Sequence, residues 1–213
     1  MADLMKKKSF LRSGEGAIAS YNYEDIASGS GVIVFYALQA STSTNGSNEQ
    51  AKYFLTTERI KSKYYYKQYE VFGAGAWSKF CEESFDSLPF NTKRILNGRC
   101  YFSPLFKSNG PSIYLNISVI KYSNSTEEIL GNVQSGVLSG ATYYRFATYL
   151  DISNKVFKKG DILRIKIEGY QYYGVGSSAY VYLYYDATGR TISGTDPVET
   201  ADSIFYIPFK IDI

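Results

Sequence analysis

The sequence predicts an all-β protein, an antiparallel β-sandwich or barrel of about eight strands, and three observations predict it. Several segments alternate apolar and polar residues with a period of two. Loops rich in Gly, Ser, Asn and Asp separate them, with no regularly alternating helix between. Tyrosine, which favours strands and joins an apolar face to a polar tip, occurs 22 times in 213 residues. With 45% hydrophobic and 20% charged residues the composition is that of a globular chain, long enough for one large β-domain.

Taken in order, residues 1–20 carry no clean periodicity and contain Gly14 and Gly16, which marks them as an extended N-terminal arm ahead of a single domain over 21–213. Residues 32–38 (VIVFYAL) form a short apolar run between Ser/Gly-rich flanks and read as a buried strand. A loop follows over 41–48, then a short strand over 53–57. Residues 61–100 read as an irregular insertion, open to strands or to a short helix near 78–86. Beyond residue 100 the alternation is clear. Ile113, Leu115, Ile117 and Val119 share one face, and Leu163, Ile165 and Ile167 share another, opposite Arg164, Lys166 and Glu168. Residues 141–150 and 181–185 are Tyr-dense strands. The final strand, 204–213, places Phe205, Ile207, Phe209, Ile211 and Ile213 together. Pro208 inside it has no N–H for the ladder, so that strand is expected at a sheet edge or with a bulge.

The residue inventory excludes much chemistry. The chain has no histidine, hence no Ser-His-Asp or Cys-His arrangement. Paired carboxylates remain, but Glu82-Glu83 and Glu127-Glu128 are adjacent, point to opposite faces of a strand, and read as solvated surface charge. Gly73-Ala74-Gly75 and Gly174-Val175-Gly176 lack the Lys-Ser/Thr ending of a phosphate loop. Cys81 and Cys100 have no histidines with which to build a zinc site; a disulfide between them is open if they lie on paired strands, and two reduced thiols are the favoured reading. No catalytic, cofactor-binding or metal-binding residue is therefore expected, and the chain reads as non-enzymatic. A net charge of +3 without a basic stripe argues against nucleic acid, and no apolar run is long enough for a membrane-spanning helix. No secretion signal is expected, since residues 9–19 contain no continuous apolar stretch.

The positive signal is aromatic. If Val181 and Leu183 face the core, Tyr180, Tyr182 and Tyr184 face outward as a stripe suited to a protein interface or to stacking on sugar rings. Phe209, Ile211 and Ile213 complete the interface candidates, because an edge strand there could extend a neighbour's sheet.

Residues 21–36 (YNYEDIASGSGVIVFY), 157–168 (FKKGDILRIKIE) and 204–213 (IFYIPFKIDI) together resemble accessory capsid proteins of tailed bacteriophages, of the decoration or cement type. The resemblance covers both ends and skips residues 41–110. It implies a jelly-roll-like domain, a virion structural role without catalytic residues, assembly in the host cytoplasm, and partners that are the major capsid protein, other virion proteins or further copies of the chain. The alternative function is a carbohydrate- or receptor-binding module of a tail fibre, with a glycan as ligand.

Overall fold

The computed structural model describes residues 8–9, 19–21, 30–41, 51–60, 66–188, 191 and 200–210. Every regular element among them is a strand: β1 (Lys8–Ser9), β2 (Ala19–Tyr21), β3 (Ser30–Ser41), β4 (Ala51–Thr56), β5 (Tyr66–Phe72), β6 (Ser78–Asp86), β7 (Arg94–Ser103), β8 (Leu105–Ser123), β9 (Thr126–Gln134), β10 (Leu138–Arg145), β11 (Thr148–Phe157), β12 (Ile162–Tyr172), β13 (Ser178–Tyr184) and β14 (Ile204–Lys210). The protein is all-β and mostly antiparallel, and the strand number exceeds the eight expected. Two wings make up the sheet. One runs β11-β7-β14-β3-β4 and the other β6-β12-β8-β13-β5, and a single parallel bridge, Phe54 opposite Asp86, joins them. β9 and β10 both pair with β8, and β2 pairs with β3.

Alternation builds these strands. Leu163, Ile165 and Ile167 of β12 and Ile113, Leu115, Ile117 and Val119 of β8 are fully buried, while the residues between them reach solvent. Each such side chain taken from water contributes about 1.5–3 kcal/mol. β8 is 19 residues long because it bends at Gly110-Pro111. Gly110 has a φ of +129°, a backbone shape that side chains resist, and the Ser108 hydroxyl donates to the Pro111 carbonyl at 2.7 Å. Before the bend β8 pairs with β13 and after it with β9 and β12, while β10 runs along the bend from Leu105 to Ile113.

The sheet curls around one core. Phe85 of β6 meets Phe205 of β14 at 6.3 Å, although β3 and β4 lie between those strands in the hydrogen-bonded order. At the far side β9 packs on β11, and Leu150 comes so close to Gly131 that a Cβ there would lie 2.9 Å from its methyl carbon.

Several expectations change. The stretch 61–100 holds β5, β6 and most of β7 in place of an irregular insertion, and residues 78–86 form β6, whose Cys81, Glu83 and Phe85 are buried on a period of two. Residues 141–150 divide into β10 and β11 around the buried Phe146. β14 is not an edge strand: β3 and β7 flank it on both sides. Pro208 instead coincides with a register shift against β7 between Tyr206 and Phe209, so its missing donor is absorbed by a bulge. Gly98 faces the ring there with a φ of +127°, and a Cβ on it would stand 3.2 Å from Pro208 Cγ. Cys81 and Cys100 are buried free thiols, on strands that do not pair; burial holds Cys81 well above the ordinary thiol pKa and pushes Cys100 up to about 12. Most of the N-terminal arm, the loop over 42–48 and Asp196-Pro197 lie outside the described residues, although β1 and β2 pair within the arm region.

Candidate binding surface

Strand register decides which surface side chains meet. On the outer face of β10-β8-β13-β5, Tyr143, Lys107, Tyr182 and Gln68 stand opposite one another on four successive strands. The Lys107 ammonium lies 4.9 Å from the Tyr143 ring centroid and 5.8 Å from that of Tyr182, so the two rings flank the cation. Tyr66 adds an edge-on contact to Tyr182 at 5.5 Å, and Tyr180 stands 41% exposed beside it. Two of the expected outward tyrosines, Tyr180 and Tyr182, are therefore part of a larger patch completed by Tyr66, Lys107 and Tyr143. The third is not available. Tyr184 is 4% exposed, because Leu105 and Ala201 pack on it with Tyr143 and Tyr182 at the margin. The segment 200–203 crosses the outer face there. Arg145 donates to the carbonyls of Thr200 and Asp202 and to the Asp202 carboxylate, and the Ser203 hydroxyl donates to the Tyr184 carbonyl.

Phe209 is also removed from any surface. It is 3% exposed in the core, edge-on to Phe90 at 5.5 Å and Phe157 at 6.2 Å. Ile211 and Ile213 lie outside the described residues.

A second outer surface occupies the other wing. Tyr149, Tyr101 and Tyr206 face one another across β11, β7 and β14 and all are exposed. The neighbouring Arg99 stacks on Tyr149 at 4.2 Å and makes a two-pronged bond to Asp151 at 2.9 and 3.0 Å. That guanidinium is satisfied within the chain. A third group joins exposed Trp77 and Tyr172 to Tyr114, which stacks nearly parallel on Tyr170 at 4.9 Å. Between these surfaces the face of β6-β12-β8-β9 is a ladder of ion pairs. Lys166 and Lys79 both bond Glu82, and Arg164 grips Asp86 with two bonds, also meets Glu127, and stacks on Tyr122.

The adjacent acids divide as strand geometry requires at one pair. Glu82 points out to its lysines, while Glu83 points in, 6% exposed, where the Lys67 ammonium at 2.5 Å and the Tyr69 hydroxyl at 2.7 Å donate to it. Burial raises the Tyr69 pKa, keeping that hydroxyl a donor. Burial opposes the Lys67 charge, but Glu83 outweighs it and holds the lysine above its ordinary value. Glu83 was expected in solvent; its place between Cys81 and Phe85 on one strand face is the signal that puts it in the core. Glu127 and Glu128 are both exposed, bonded to Arg164 and Lys155. Among the described residues no group of three or more His, Cys, Asp or Glu could hold a metal ion, and no helix is long and apolar enough to cross a membrane.

No family model matches the sequence, and no curated protein matches it. Solved structures do resemble the fold. An α-amino acid ester hydrolase matches with a TM-score of 0.53 at 9% identity, over 73% of this chain and 34% of that one. An aminopeptidase from the marine sediment archaeon Thaumarchaeota archaeon matches with a TM-score of 0.50 at 8% identity, over 83% of this chain and 37% of that one. The present chain thus spans little more than a third of either, and at these identities the likeness is one of fold.

Proposed function

We propose that this chain is a non-enzymatic structural β-domain of a virus particle, attached to the major capsid protein or other virion proteins, and to further copies of itself, by the outer face of its sheet. The observation that carries the reading is the exposure of tyrosines in cross-strand rows, above all Tyr149-Tyr101-Tyr206. Tyrosine is enriched where proteins meet, and a flat row buries large area at little cost in side-chain freedom. The finer architecture that goes with this reading is a jelly-roll-like sandwich, for which the contact of Phe85 with Phe205 across the core speaks. The resemblance of residues 21–36, 157–168 and 204–213 to accessory capsid proteins supplies the setting. The hydrolases that share the fold lend support to a β-domain scaffold and to nothing about chemistry.

Mass spectrometry and cryo-electron microscopy of particles carrying the chain test this reading. Many symmetric copies on the shell, lost when Tyr101 and Tyr149 are changed to Asp in a folded variant, are the expected result. Copies confined to a tail tip, or none, would overturn it. A second reading, a glycan-binding module, is favoured by the exposed Trp77 and Tyr172, whose rings suit stacking on a sugar. A glycan screen of wild type against Trp77→Ala decides whether they bind one.

A further inference from the structure

The protein contains two lysines in the same aromatic setting. On the inner face, Lys67 lies 5.4 Å from the Tyr53 ring and 5.3 Å from the Tyr69 ring, and the Glu83 carboxylate completes the arrangement. On the outer face, Lys107 lies between Tyr143 and Tyr182 at comparable distances, and among the described residues no carboxylate pairs with it. The inner arrangement shows what finishes the outer one: an acidic side chain set over the ammonium.

The same outer face carries such a group. Glu70 is exposed on β5, opposite Tyr180 and one outward position beyond Gln68, and it too has no ion-pair partner among the described residues. Lys107, which lies between its two rings, does not pair with Glu70 within the chain. Two strand spacings of about 4.8 Å and one two-residue step of about 6.7 Å separate them, roughly 12 Å at the backbone. Around them lie Tyr66 (37% exposed), Tyr180 and Phe72 (65% exposed), and β5 is the last strand on that side of the sheet path. An apolar patch that holds one unpaired cation and one unpaired anion at separate points is complementary to itself.

We propose that the outer face of β10-β8-β13-β5 binds a second copy of this chain about a two-fold axis, Lys107 of each copy pairing with Glu70 of the other. In a two-fold interface every contact occurs twice, so one surface supplies both charges of both pairs. Tyr180 and Tyr182, which stand on β13 between the two charges, form the apolar centre that excludes water from them, with Tyr66 and Phe72 flanking it on β5. This deepens the self-association in the reading above and does not depend on where in a particle the protein sits.

Sedimentation equilibrium of the full chain and its charge variants tests the proposal. The wild type is expected to dimerise at tens of micromolar or below, on the order of a small interface. Lys107→Glu and Glu70→Lys should each weaken the dimer roughly tenfold or more, because each places like charges together. The double variant, which exchanges the two charges, should recover most of the affinity. Mixing the two single variants should give a heterodimer, since both of its pairs are then opposite in sign. A wild type that stays monomeric at roughly 100 μM, or single variants that dimerise as tightly as wild type, would overturn the proposal. Far-UV circular dichroism checks the fold of each variant. Glu70 is exposed at a sheet edge, so Glu70→Lys alone decides if Lys107→Glu does not fold. A monomer that still decorates particles would sink the dimer and leave the shell-binding reading standing.

Discussion

Lys67 and Lys107 are one arrangement used on opposite faces of a sheet, and the difference between them lies in what the chain supplies as counter-ion. At Lys67 the curl of the sheet brings β6 across from β5, so Glu83 closes the site from within. At Lys107 none of the described strands lies over the outer face, and the rings hold a cation that nothing in the described chain neutralises. Rings beside a lysine tolerate its charge; a carboxylate binds it. The inner site therefore contributes to stability, and the outer one is free to contribute to association. Arg99 lies between these cases, since its stack on Tyr149 and its bond to Asp151 sit wholly at the surface.

The sharpest test of that division is Lys67→Met. It leaves the buried Glu83 with the Tyr69 hydroxyl as its remaining donor among the described residues and should lower stability by about 2 kcal/mol. The figure is below that of a fully buried pair because the Lys67 side chain is 40% exposed. Urea unfolding measures it, and a change under ~0.5 kcal/mol would show that the Lys67–Glu83 pair contributes little to stability. Arg145→Ala comes next. It releases the segment 200–203 from the outer face and should cost about 1–2 kcal/mol, with faster amide exchange at Asp202 and Ser203 and greater accessibility of Tyr184 to iodide quenching. Unchanged exchange would mean that Ser203 holds the segment alone.

The ion-pair ladder gives a pH dependence. Hydrogen bonds from Lys166 and then Lys79 lower the Glu82 pKa to about 2. A depressed carboxyl pKa contributes stability that is fully present above its unfolded value and lost as pH falls through the folded one. Stability should therefore drop between about pH 4.5 and 2, and Glu82→Gln should flatten part of that slope; a slope identical to wild type would assign the ladder no role. The carboxylate is nearly half exposed, so the effect on stability is small. Least of all should Lys107→Met affect folding, by less than ~0.5 kcal/mol, even where it removes the dimer. A larger destabilisation would place Lys107 with Lys67 among the structural cations and remove the contrast between them.

Much of the scaffold was legible from side-chain period. Leu163, Ile165 and Ile167, like Ile113 to Val119, alternate so strictly that only a half-buried strand accommodates them, and all are buried. Residues 61–100 were not legible, because Lys, Gln and Glu interrupt the apolar pattern of β5 and β6. Those polar residues are split between an ion pair in the core and a charged outer face, an arrangement that depends on partners far away in sequence. Pro208 announced a break in the ladder but not its kind. A bulge is the answer because β14 is held on both sides, and only the finished sheet makes it central.

By itself the sequence determined that this protein is built mostly of antiparallel strands, that its aliphatic sets turn inward, and that these 213 residues supply no histidine, since each follows from residue type and a period of two. Only the tertiary structure decided which tyrosines are surface. It buried Tyr184 beneath residues 200–203, and it aligned Tyr143, Lys107, Tyr182 and Gln68 in one row. Such a row is a matter of register between strands that are distant along the chain, and register is set by how the whole sheet closes on its core, which no local pattern contains.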